Sequence, residues 1–276
     1  MPLDYKSVDR KMKPIGTSNL IVFTDLDGTL LDHETYSHAA ADEALALLKS
    51  RKIPLILASS KTAAEIAPLR HDLGFDQCEA IVENGAGLLQ PGALEEQETG
   101  DYQQILLRLA DLPDALRSQF RGFSDWSVEE IAKRTGLSVS AAELAKKRNF
   151  SEPGLWSGNA QQYGVFCQLL KDSGLVAQQG GRFLSLSFGG NKAEQMAKIR
   201  RRHETGHNPL FLIALGDAEN DVAMLEAADR GVIIPNPTHK GIPRLAGEAN
   251  GSIVRAASPG PVGWNETIKT IISSRA

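Results

Sequence analysis

Two apolar runs in this chain end abruptly in acidic turns, and that pairing restricts the fold more than any other feature. Leu20–Thr24 (LIVFT) stops at DLDGTL (25–30), and residues 210–215 (LFLIAL) stop at GDAEND (216–221). A short, continuous apolar run bounded by turn residues suits a strand buried on both faces, the usual condition in a parallel sheet. Further buried strands are expected at 53–58, 80–82 and 231–234. Helical spacing follows at 39–50, where Ala44, Leu45, Leu47 and Leu48 share a face, and again at 63–73 and 218–228. Strands alternating with helices indicate βαβ units and a parallel α/β sheet.

The middle of the chain breaks this rhythm. Residues 87–188 predict polar helices at 103–120, 128–135, 141–148 and 161–173, with short strands at 176–178 and 182–188. The last string, RFLSLSF, alternates as a strand with one solvated face does. The economical reading is a Rossmann-like core made of residues 20–86 and 189–276, interrupted by an inserted α+β cap at 87–188. Residues 1–19 form an N-terminal extension.

Composition removes several classes of function. A formal net charge of −4 over 276 residues argues against nucleic-acid binding by bulk electrostatics, though not against a small anionic ligand in a local cationic pocket. No apolar run approaches the ~18–20 residues that span a bilayer. Residues 1–19 hold no apolar signal core, so a cytoplasmic location is expected. Cys78 and Cys167 are too few for a disulfide framework, and their apolar neighbours mark them as reduced core residues.

Four clusters fall where open α/β sheets place their sites, at the carboxyl ends of strands. Asp25 and Asp27, two residues apart at a strand end, project to the same side. Gly28 lets the chain turn and approach a ligand. Adjacent carboxylates repel each other unless a proton or a hard divalent cation intervenes. Asp217, Asn220 and Asp221 open the helix after the second acidic turn. Helix capping alone would account for them, but beside Asp25 and Asp27 they complete a carboxylate-rich cradle suited to Mg²⁺. Ser59, Ser60, Lys61 and Thr62 join a strand to a helix, which suits either a plain N-cap or a phosphate site. Lys192 opens the helix that begins at Ala193, where a cation is mildly unfavourable and a functional reason fits better.

In this order, the DLDGTL string, a strand-terminal Ser, a Lys and GDAEND resemble the haloacid dehalogenase-like superfamily. VENGA (82–86) resembles the branch whose α/β cap is inserted just beyond this point. LASSKT (57–62), RNFSEP (148–153), GGRF (180–183) and GPVGWNE (260–266) resemble mannosyl-3-phosphoglycerate phosphatases. FGGNKAEQ (188–195) departs from that pattern, with Ala193 where glycine is expected. The resemblance implies that Asp25 is the nucleophile, Asp27 the acid/base and Lys192 a catalytic cation. It implies Mg²⁺ held by Asp25, Asp27 (through its carbonyl), Asp217 and Asp221. Ser59, Lys192 and Asn220 would bind phosphate. In the cap, Arg148 and Arg182 would meet a substrate carboxylate, with Ser151 and Glu152 on sugar hydroxyls. The partner implied is a small phosphorylated glycoside or sugar phosphate.

Rival readings are a phosphomutase of the same superfamily and a non-enzymatic sugar-phosphate-binding protein, although the latter should have lost Asp25 or Asp27. HETGH (203–207) matches the zinc-protease string H-E-x-x-H. A zincin needs it inside a long helix, whereas Gly206 and Pro209 stop one here.

Overall fold

The structure, a computed structural model, describes residues 19–94, 100–204, 209–238 and 240–275. The N-terminal extension therefore lies almost wholly outside the described residues, as does His207 of the H-E-x-x-H string. Cys78 and Cys167 are both free, Cys78 buried in the core and Cys167 partly buried against the cap cluster.

Strands β1 (Leu20–Thr24), β2 (Leu55–Ala58), β3 (Ala80–Val82) and β4 (Gly87–Leu89) share one seven-stranded sheet with β9 (Phe211–Gly216), β10 (Arg230–Ile233) and β11 (Ile253–Arg255). The spatial order is β11-β10-β9-β1-β2-β3-β4. All neighbours are parallel except β3 and β4. Every residue of β2 and β3 is buried, which is why these strands read as continuous apolar runs. The chain leaves β1 toward β2 on one side and returns as β9 on the other. A topological switch point therefore falls between β1 and β9, where ligands of open α/β sheets bind. The helices packing this sheet are α1 (Asp42–Ser50), α2 (Ala63–Asp72), α8 (Lys192–His203), α9 (Val222–Ala227) and α10 (Gly260–Ser273). The sequence reading did not anticipate α10, whose Trp264 is fully buried and donates from Nε1 to Thr24 Oγ1 at 3.0 Å. That bond fixes the last residue of β1 immediately before Asp25.

The core also runs further than residue 86. β4 pairs antiparallel with β3, and Arg70 donates to the carbonyls of Cys78, Gln90 and Ala93. The inserted region has its own antiparallel sheet, β5-β6-β8-β7, from Phe120–Gly122, Ser151–Trp156, Phe183–Ser187 and Val176–Gly180. Leu184 and Leu186 of β8 point into a cluster with Ile105, Leu109, Phe166 and Leu170 from α3 (Asp101–Ala110) and α7 (Ala160–Asp172). Each such buried leucine contributes about 1.5–3 kcal/mol. α5 (Val128–Thr135) and α6 (Val139–Lys146) pack with Phe123, Trp126 and Phe183 as a separate cluster.

The single helix expected at 103–120 is three elements. α3 stops at Ala110, a short α4 spans Asp114–Arg117, and Phe120 already lies in β5. Pro113 disfavours helix at the residue before it and is itself extended, with ψ 134. Strand β6 was hidden because Pro153 and Gly154 demote a run to non-strand. Glycine is required at 154, since a side chain there would meet Phe120 across the sheet.

The turn between β3 and β4 touches the chain returning from the cap, backbone to backbone. A Cβ at Gly85 would collide with Asn191, and one at Gly190 would come 2.7 Å from the Gly85 carbonyl oxygen. Before this contact, Glu83 and Asn84 are both left-handed, with φ of 50 and 59. Strain of roughly 1–3 kcal/mol per such residue persists only where surrounding bonds over-determine it. Here Glu83 N donates to the Lys61 carbonyl and Asn84 N to the Ser59 carbonyl, both at 2.9 Å.

Candidate active site

β1 and β9 run in register, Thr24 opposite Leu215, so the turns that follow them emerge side by side. This register brings Asp25 together with Asp217 and Asp221, whose carboxylate oxygens lie within 4.8 Å of one another. Lys192, on the first residue of α8, reaches the same point. Its Nζ lies 2.6 Å from Asp25 Oδ1 and 2.7 Å from Asp221 Oδ1. The odd placement of a lysine at a helix start is thereby explained, because the side chain neutralises buried carboxylates rather than facing the helix dipole.

The surrounding bonds orient each carboxylate. Thr29 Oγ1 donates to Asp217 Oδ1 at 3.0 Å, and Asn236 Nδ2 to Asp217 Oδ2 at 2.7 Å. Asp221 Oδ2 accepts from the backbone N–H groups of Asp217 and Ala218, so it caps the turn while serving the cluster. Gly28, at φ 80, must be glycine, because a Cβ would stand 2.9 Å from Asp217 Oδ2. Burial raises the pKa of Asp25 well above the ordinary carboxylate value; Lys192 opposes this and the charges of Asp221 and Asp217 add to it. Burial works to lower the pKa of Lys192, yet Asp221 and Asp25 carry it above the usual lysine value, so it stays cationic.

Three converging carboxylates with one lysine between them leave excess negative charge in a buried place. An all-oxygen donor set of this kind fits a hard divalent cation, and Thr29 and Asn236 supply the outer bonds that hold a ligand in place.

Asp27 stands apart from this cluster, partly exposed at the mouth of a cleft of about 260 Å³. Its Oδ2 pairs with Lys61 Nζ at 3.0 Å, whereas Oδ1 is buried without a hydrogen-bond partner. Burial opposes the charge of Lys61, yet Asp27 and then Glu65 carry its pKa above the usual lysine value. Ser59 is buried at the end of β2, and its Oγ accepts from Lys61 N. The expected phosphate-binding helix start is closed by a capping box in which Thr62 and Glu65 satisfy each other's backbone N–H groups. Asn220 donates to Asn84, a cleft residue, and so faces the cap side of the site.

The four cap residues expected to touch substrate separate in the structure. Arg148 lines the cleft, but its guanidinium is bound to Glu83 at 3.1 Å, to Ser151 Oγ at 2.7 Å and to the Ser60 carbonyl at 3.3 Å. Ser151 is buried and donates to Glu83 at 2.7 Å. Glu152 is wholly buried, accepting from Tyr102 and from both Ser124 N and Oγ. Arg182 is exposed, donates to the Arg134 carbonyl, and is absent from the cleft lining, which its neighbours Gly180 and Phe183 do form.

Sequence reasoning missed Asn236, Glu83 and the specific partner of Lys61. Asn236 lies just past the end of β10, and position at a strand's carboxyl end is the signal that would have found it. Glu83 carried no such mark. A larger cavity of about 900 Å³ sits at the opposite ends of the strands, lined by Leu20, Ile53 and Phe211, away from every carboxylate of the cluster.

The chain matches the haloacid dehalogenase-like hydrolase family over residues 22–106 and 176–243. It belongs to that family. Two relatives, from Persephonella marina and Methanococcoides burtonii, are both named glucosyl-3-phosphoglycerate/mannosyl-3-phosphoglycerate phosphatase. They are 34% and 33% identical, covering 92% and 91% of this chain and 97% of each relative. Among solved structures, a haloacid dehalogenase-like hydrolase from Bacteroides thetaiotaomicron superposes with a TM-score of 0.64 at 18% identity, covering 91% of this chain and 98% of that one. The sucrose-phosphatase of Synechocystis superposes with a TM-score of 0.60 at 16% identity, covering 92% and 98%. At such identities the structures speak for the fold alone. This haloacid dehalogenase-like chain is a phosphoric monoester hydrolase, as the sequence reading expected. Among the described residues, no helix is long and apolar enough to cross a membrane.

Proposed function

We propose that this enzyme hydrolyses a glycosyl-3-phosphoglycerate, of the mannosyl or glucosyl type, to the glycosylglycerate and phosphate through an aspartyl-phosphate. The observation that carries the reaction is the convergence of Asp25, Asp217, Asp221 and Lys192 at the switch point. The substrate class rests on the names of the two relatives.

In the first step an oxygen of Asp25 bonds to phosphorus while the bond from phosphorus to the ester oxygen breaks. Lys192 holds the carboxylate through Oδ1 and is placed to balance charge on the phosphoryl oxygens. Asp27, as the carboxylic acid, gives its proton to the leaving oxygen. In the second step Asp27 takes a proton from water, which attacks phosphorus and releases Asp25. Splitting one displacement into two lowers the barrier to each. Mg²⁺ bound by Asp25, Asp217 and Asp221 would offset the repulsion between an anionic nucleophile and an anionic phosphate.

The test is phosphate release from mannosyl-3-phosphoglycerate, glucosyl-3-phosphoglycerate and simple hexose phosphates, with and without Mg²⁺. Release should be fastest from a glycosyl ester, be abolished by chelation and return with Mg²⁺. Equal turnover of all the esters would overturn the substrate class, and isomerised sugar phosphate without free phosphate would point to a mutase.

A further inference from the structure

We propose that Lys61 is the receptor for the carboxylate of the leaving group, and so makes the enzyme selective for phosphate esters whose carboxylate is separated from the ester-bearing carbon by a single carbon. This rests on the phosphoglycerate reading above and assigns the residue that enforces it.

Lys61 comes from the string between β2 and α2, which the catalytic steps leave unused. Its ammonium lies 3.0 Å from Asp27 Oδ2, and both residues line the same cleft. Asp27 must stand within hydrogen-bond reach of the ester oxygen to protonate it, about 2.6–3.2 Å. Lys61 is therefore adjacent to the leaving group, not to the transferring phosphoryl group, which Lys192 serves. In a 3-phosphoglycerate ester the carboxyl carbon is joined to the ester-bearing carbon through a single intervening carbon. The carboxylate of a bound substrate must then fall beside the leaving oxygen, within reach of the same ammonium.

The other cations do not suit this task. Arg148 lines the cleft, but Glu83 balances its charge, and Ser151 and the Ser60 carbonyl fix its guanidinium. Arg182 lies outside the lining. Lys192 is held between Asp25 and Asp221. A lysine ammonium has three donors, and one directed at Asp27 leaves others for a second carboxylate. Tyr36 limits where the chain can swing, with the ammonium 5.4 Å from its ring centre. Beside the apolar Phe183, Leu137 and Pro153 the lining holds the neutral Ser60, Asn84, Thr135 and Ser185 and the carboxylate of Glu65, so Lys61 is the lining cation with donors directed into the cleft for a substrate carboxylate.

The experiment compares a matched pair of small esters, 3-phosphoglycerate and glycerol 3-phosphate, in the Mg²⁺-loaded full chain. A charge-assisted hydrogen bond corresponds to a preference for the carboxylate ester of about 10–100-fold in kcat/KM. Lys61→Met, with Lys61→Gln as a second variant, should bring that ratio to within about 3-fold of unity, while Lys61→Arg retains most of it. A uniform loss on both esters with the ratio intact would show that Lys61 only positions Asp27, and would overturn the assignment. So would a wild-type enzyme indifferent to the carboxylate. If the ratio collapses as expected but neither glycosyl ester outpaces 3-phosphoglycerate, the glycosyl substrate fails and the role of Lys61 stands.

Discussion

At the ends of β1 and β9, three carboxylates converge and one lysine pairs with two of them, whereas where core and cap meet Glu83 and Arg148 answer each other. Both groups are buried, yet their accounts differ. In the core the negative charge exceeds its partners, a balance that suits a hard divalent cation. Where core and cap meet, Glu83 accepts from Asn149 N and Ser151 Oγ and pairs with Arg148, whose charge it balances. A charge-deficient cluster marks chemistry, and a closed one marks architecture.

Substitution should separate the two kinds of site, with the largest effect in the core. Asp25→Asn should lower phosphate release by about 10⁴-fold or more while leaving the unfolding transition in place, since it removes the proposed nucleophile. Unchanged turnover would sink the covalent mechanism. Glu83→Gln should do the reverse. It leaves Arg148 buried without its counter-charge, costing about 3–5 kcal/mol in denaturant unfolding, with a smaller loss of activity that follows the fraction of folded enzyme. If activity fell far more than stability, Glu83 would belong with the chemistry instead.

Glu152 sharpens the contrast through pH. Its burial raises its pKa above the ordinary glutamate value, against the lowering effect of Ser124, Tyr102 and Arg148. A carboxyl whose pKa is raised by folding contributes stability that is fully present below its unfolded pKa, about 4.3, and is lost as pH rises through the folded value. Glu152→Gln has no proton to lose, so the stability difference between wild type and variant should shrink as pH rises from about 4. Melting curves at a series of pH values would show it, and a difference that is constant with pH would place the charge of Glu152 elsewhere. The smallest effect belongs to Arg182→Ala. An exposed side chain outside the cleft should change kcat/KM by no more than about 2-fold, within the usual range of surface substitutions. A large rise in KM would return Arg182 to the substrate site.

Much of the core was legible in the chain because parallel strands buried on both faces are written as apolar runs. The boundaries of β1 and β3 were read to the residue, and those of α5 in the cap as well. The cap was harder. Its β6 contains Pro153 and Gly154, residues that local propensity assigns to turns, and only pairing with β5 and β8 makes the segment a strand. The arginine and glutamate of RNFSEP were equally hard to place from the chain alone. A charged residue in a loop reads the same whether its partner is a substrate or a buried glutamate distant in the chain.

The two acidic turns that follow β1 and β9 thus had their chemical type set by sequence alone. Asp25, Asp27, Asp217 and Asp221 stood out because acidic turns at the carboxyl ends of buried strands are where open α/β sheets place their sites. Which of them meet was decided only by the register of β1 against β9, and by a lysine distant in the chain that reaches the same point. Tertiary structure likewise gave Asp27 to Lys61 and Arg148 to Glu83. Electrostatic partners are chosen by distance in space, which no local pattern of residues records.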